Sequence, residues 1–94
     1  VKLYRAVSLP EHRQLHTSGR FQQLGGAEGK YFAEREAHAR SWGRALFGEE
    51  QYRIVQVNFP KHIADRFHKF LMLDGIGPAR FARMDQLEAY EVTM

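Results

Sequence analysis

Lys30-Tyr31-Phe32-Ala33, a run in which Ala39, Trp42 and Leu46 recur at intervals of three and four, and then Tyr52-Arg53-Ile54-Val55-Gln56-Val57-Asn58-Phe59: this stretch decides the fold. The first four residues are rich in β-formers and follow the turn-prone segment Gly25-Gly26-Ala27-Glu28-Gly29, so a strand is expected there. A helix is expected from about Glu34, whose charge suits a helix N-terminus, to Gly48. Residues 52 to 59 are nearly continuously apolar in their middle, which predicts a strand in a central position.

Upstream, Lys2-Leu3-Tyr4-Arg5-Ala6-Val7 predicts a strand that runs into a helix. Ser8-Leu9-Pro10-Glu11 has the spacing of a capping box, with proline in the first turn. That helix carries Leu15 inward and should stop at Gly19, and residues 20 to 24 form a short strand. Downstream, Pro60 ends the apolar strand, and a helix is expected over Lys61 to Phe70, where Ile63, Phe67 and Phe70 form an apolar stripe. Leu73-Asp74-Gly75-Ile76-Gly77-Pro78-Ala79-Arg80 reads as a loop, either a plain connector or part of a site. Gln86 to Val92 closes the chain as a last strand. The order β-α-β-β-α-β-α-loop-β interleaves strands and short helices too irregularly for a doubly wound parallel sheet, so the class is α+β.

Ninety-four residues make one domain with a modest core, and 44% hydrophobic with 13% aromatic residues is the composition of a globular chain. With no cysteine, neither a disulfide nor a thiolate nucleophile is available, so the fold suits a reducing compartment. No apolar run is long enough to span a bilayer, and the N-terminus shows no signal-peptide pattern. A predicted strand starting almost at Val1 is the pattern expected of a C-terminal module of a larger carrier. The net charge of +3 comes from scattered residues, compatible with solvated helix faces or with an anionic ligand such as a dinucleotide or RNA.

Several chemistries are excluded by motif: there is no His-Glu-x-x-His, no P-loop and no Gly-x-Ser-x-Gly elbow. His12 and His16 lie one helical turn apart but lack an evident third metal ligand, and His38, His62 and His68 lie on predicted helices among charges. No metal site is expected.

Three separated segments carry a more specific pattern: Tyr4-Arg5 in the first strand, Gly29-Lys30-Tyr31-Phe32-Ala33 leading to Trp42, and Gln86-Leu87-Glu88. Together they resemble the ADP-ribosyltransferase superfamily. Gly29 through Trp42 is similar to the poly(ADP-ribose) polymerase branch, and Arg5 with the Gln-x-Glu spacing of Gln86 and Glu88 is similar to the toxin branch. The resemblance extends to C-terminal toxin domains of bacterial polymorphic toxins of the Rhs and contact-dependent inhibition kinds. It implies a small split sheet, antiparallel or mixed, with about three helices, and a single catalytic domain over residues 1 to 94. It also implies NAD as substrate and a protein or RNA acceptor, with delivery by a secreted carrier into the target-cell cytoplasm and a cognate immunity protein in the producer. Two departures stand out: no Ser-Thr-Ser lies on the middle strand, and the first strand has Arg where the polymerase branch has His.

The residue types fit that chemistry on their own terms. Cleavage of the nicotinamide bond builds positive charge on the ribose, which a carboxylate stabilises more in the transition state than in the ground state; Glu88 is the candidate. If Gln86 to Val92 is a strand, Gln86 and Glu88 share one face, and the resemblance gives Gln86 the orienting of the acceptor. Arg5 can hold a pyrophosphate in a forked geometry, and Tyr31 offers a face to nicotinamide, with Tyr4, Phe32 and Trp42 around the dinucleotide. Two other functions remain open at this point. One is a ribonuclease of small α+β type using His, Arg, Lys and Glu side chains on an RNA such as tRNA. The other is a non-catalytic module binding protein or RNA through basic helices.

Overall fold

The computed structural model describes residues 1–22 and 28–87. In chain order these form β1 (Lys2–Ser8), α1 (Leu9–Ser18), β2 (Gly29–Ala33), α2 (Glu36–Phe47), β3 (Tyr52–Asn58), α3 (Lys61–Ala64), β4 (His68–Leu73), β5 (Gly77–Arg83) and α4 (Met84–Leu87). The strands make one five-stranded sheet, every neighbour antiparallel, in the order β3-β1-β2-β5-β4. The class is α+β, with four helices, of which α3 and α4 are single turns.

Strand alternation sorts the side chains onto two faces. Leu3 and Val7 of β1, Phe32 of β2, Val55 and Val57 of β3 and Ala82 of β5 point to the face that carries the main core. Leu15 of α1, Ala64 of α3, Met84 and Leu87 of α4, and Phe21, Phe59 and Phe67 from the connections close over it. Phe32 is its centre, meeting Phe21 and Phe59 edge-to-face at 5.5 Å each. Burying an aromatic of that size stabilises the fold by about 2–3 kcal/mol. α2 covers the opposite face over β1, β3 and the end of β2, and Gly43 lets the helix backbone lie directly on the Tyr52 ring.

Sequence and structure agree on β1, α1, β2, α2 and β3, including the left-handed Gly19 that ends α1. β3 is an edge strand rather than a central one. Its apolar run arises because both of its faces are covered, Val55 and Val57 by the core and Ile54 alongside Ala6 beneath α2, while among the described residues one of its edges has no partner strand.

The expected helix over 61 to 70 stops at Ala64, and His68 onward is strand. Ile63 and Phe67 do reach the core. Phe70 emerges on the other face of the sheet, beside Tyr31, because β4 pairs with β5 and alternation replaces the helical period. The expected loop from Leu73 to Arg80 is a hairpin. Asp74 and Gly75 both have positive φ (56° and 70°), and the Ile76 N–H donates to the Leu73 carbonyl at 3.0 Å, the geometry of a tight type I′ turn.

Arg20 to Gln22 are not in a strand, and residues 23 and 24 of that expected element lie outside the described residues. The expected strand from Gln86 to Val92 starts inside α4, and its remainder, Glu88 onward, lies outside the described residues.

Candidate functional site

β1 and β3 stay in register over seven residue pairs and β2 and β5 over five, but β1 and β2 share a single registered pair, Tyr4 with Ala33. Away from that pair the two middle strands part. Arg5 bridges the gap from β1, donating through Nη1 to the Tyr31 carbonyl at 3.1 Å, so that a side chain stands where a ladder bond would otherwise form.

The divergence and the underside of α2 enclose a cavity of ≈ 300 Å³. Its lining includes Tyr4 and Arg5 of β1, Tyr31 and Phe32 of β2, Trp42 of α2 and Asp74 of the β4–β5 turn. That size is at the lower end for small-molecule sites and suits one ring-bearing end of a larger ligand. The left-handed Asp-Gly turn positions Asp74 so that its Oδ2 accepts a hydrogen bond from the Trp42 indole N–H at 3.0 Å, tying the hairpin to α2 across the cavity mouth.

Arg5 is held from below. Its Nε and Nη2 donate to the two oxygens of Glu11 at 3.0 and 3.1 Å, a bidentate pair whose side chains are 17% and 7% exposed. Ser8 caps α1 by accepting from the Glu11 N–H at 3.2 Å. The Glu11 carboxylate turns to Arg5 rather than back to Ser8, so only half of the capping box forms. A guanidinium carries five N–H groups. Glu11 and Tyr31 engage three of them.

The Lys30 ammonium lies 3.7 Å from the same Glu11 oxygen with its side chain 5% exposed. Burial lowers the Lys30 pKa below the ordinary lysine value; the Glu11 charge opposes that shift and the Arg5 charge adds to it. Two cations therefore share one carboxylate behind the cavity. Further along the core face, Arg80 is buried, with Nε on Glu34 at 3.1 Å and Nη1 on the Ala64 carbonyl at 3.1 Å.

Of the residues expected at the site, Tyr4, Arg5, Tyr31, Phe32 and Trp42 all line this cavity, Tyr4, Tyr31 and Trp42 from its own side of the sheet and Arg5 and Phe32 from positions that alternate to the core face. Gln86 does not. It sits in α4, beyond the end of β5 remote from the cavity, where its Oε1 accepts from the Arg83 N–H at 2.8 Å. Gln86 is in a helical turn, so the expected strand does not include position 86. Glu88 lies outside the described residues.

The chain matches no known family model, no curated protein and no solved structure.

Sequence reasoning marked the Leu73–Arg80 segment that holds Asp74 as a connector or part of a site, and missed Glu11 and Lys30. Asp74-Gly75 between apolar residues was a readable hairpin signal. Glu11 was visible only as a capping residue, and nothing in the sequence marked Lys30 as buried. Among the described residues, no group of three or more His, Asp or Glu side chains is placed to hold a metal, and no helix is long and apolar enough to cross a membrane.

Proposed function

We propose that this chain is an ADP-ribosyltransferase-like enzyme that takes NAD into the opening between β1 and β2, splits off nicotinamide and transfers ADP-ribose to a macromolecular acceptor. The observation that supports it is the meeting of Tyr4, Tyr31 and Trp42, drawn from three separate elements, at one cavity that Arg5 and Phe32 line from behind, with the Arg5 guanidinium anchored on Glu11 and reaching the Tyr31 carbonyl. The nicotinamide ring stacks on Tyr31, and the Arg5 guanidinium takes the pyrophosphate. The bond from ribose C1′ to the nicotinamide nitrogen breaks with its electron pair passing to the ring, which leaves neutral. An acceptor nucleophile then bonds to C1′ and gives up its proton. A carboxylate beside the ribose stabilises the oxocarbenium-like transition state. Glu88 is assigned that role through the family resemblance, with Gln86 as its companion. The resemblance also supplies the biological setting of a toxin module, carried into the cytoplasm of a target cell by a larger secreted protein and neutralised by a cognate immunity protein.

The test is nicotinamide release. The purified chain incubated with NAD is expected to liberate nicotinamide, followed by chromatography. Glu88→Ala abolishes the release with an unchanged circular dichroism spectrum, and Arg5→Lys raises KM for NAD by about tenfold or more by losing the fork. Intact NAD together with shortened RNA in a lysate assigns the chain to ribonucleases instead.

A further inference from the structure

α2 covers only part of its side of the sheet, packing on β1, β3 and β2. Past its edge, the same face carries a row of rings in cross-strand register: Tyr31 of β2 opposite Phe81 of β5, and Phe81 opposite His68 of β4. The Tyr31 and Phe81 centroids are 4.8 Å apart, and Phe70 fills the angle between Tyr31 (6.1 Å) and His68 (4.7 Å). Tyr31 is 49% exposed and His68 is exposed as well. Two arginines stand beside this row: Arg83 follows Phe81 by two positions on the same face, 62% exposed and paired with Asp85, and Arg66, exposed and without an ion pair among the described residues, precedes His68 by two; Lys69, opposite Arg80, points to the other face. At its other end the row reaches the cavity, because Tyr31 belongs to both.

We propose that this row is a stacking platform for single-stranded nucleic acid. Flat rings presented from adjacent strands, with the two arginines beside them, match unstacked bases joined by phosphates. Tyr31 at the junction then brings the bound strand to the cavity, which makes single-stranded nucleic acid the acceptor class. That last step rests on the transferase function proposed above; binding itself does not.

The experiment is fluorescence anisotropy of a labelled single-stranded RNA of about twelve nucleotides, titrated with the intact chain. Binding is expected to weaken steeply as salt rises. Phe81→Leu and His68→Ala are each expected to weaken it by about fivefold to tenfold, since each removes one stacking ring. Phe81→Leu keeps an apolar side chain at a partly buried position, and His68 is exposed, so the two variants do not share a folding risk. An RNA duplex of the same sequence should compete at least about tenfold less well, because its bases are not free to stack.

Absence of salt-dependent binding, equal binding by both variants, or equal competition by the duplex overturns the platform. So does a self-association detected by sedimentation that both variants abolish while RNA leaves the chain untouched. Nicotinamide release by the wild-type chain is measured alongside. Its absence removes the transferase and leaves the anisotropy to decide the platform, whereas release without RNA binding removes the platform alone.

Discussion

Replacing Glu11 by glutamine tests the electrostatic base of the site. The substitution keeps the side chain's shape but removes the one negative charge that Arg5 and Lys30 share at 3.0 and 3.7 Å. Both cations are largely enclosed, at 17% and 5% side-chain exposure, so water can compensate little of the loss. Breaking a buried pair by removing one partner costs about 3–5 kcal/mol; because the Arg5 tip keeps some solvent and its bond to Tyr31, about 3 kcal/mol is expected. That is a large part of the ~5–15 kcal/mol that holds a small domain together. For a chain of this size it corresponds to a fall in Tm of roughly 12–24 °C, measured by thermal unfolding followed by circular dichroism. Adding Lys30→Met to Glu11→Gln removes one stranded cation and should recover part of the loss. A cost below about 1 kcal/mol for Glu11→Gln, or no recovery in the double variant, would refute the idea that these three side chains form one charge-coupled unit.

Two further outcomes follow from the same region. Burial lowers the Lys30 pKa in the folded state, so the unfolded chain binds more protons on the alkaline side, and this residue's contribution to stability rises with pH until the ordinary value of 10.5 is passed. Urea titrations should therefore show the stability difference between Lys30→Met and wild type changing in favour of wild type as pH climbs toward 10.5; a difference constant with pH contradicts the assignment. At Gly29, an added Cβ would run into the Ala82 carbonyl across the β2–β5 ladder and into the Phe81 ring. Gly29→Ala is expected to cost about 2–4 kcal/mol by prising the strands apart, read as a lower urea midpoint, with the cavity residues of β2 displaced as well.

Short-range chemistry made much of this protein legible from its sequence. β1, β2 and β3 announced themselves by β-forming residues, α1 by Ser8 and Gly19, and α2 by the spacing of Ala39, Trp42 and Leu46, because the signals for those elements lie within a few residues of one another. Five of the residues expected at the site could be named because they sit on those elements. The stretch from 65 to 83 was a different matter. Ile63, Phe67 and Phe70 fit a helical stripe as well as a turn followed by a strand, and only pairing with Gly77–Arg83 decides between them. The Asp74-Gly75 turn was the one local clue to that hairpin.

The remainder was settled by tertiary structure, since it depends on which distant residues meet. The order of strands puts Arg5 next to Tyr31, 26 positions away, and a guanidinium rather than a backbone amide reaches the Tyr31 carbonyl where β1 and β2 part. The pairing of Glu11 with Arg5 and Lys30 likewise needs α1 folded back onto the sheet. Sequence determines what each segment can become on its own; burial, register and charge neutralisation, which are properties of several segments at once, choose the site.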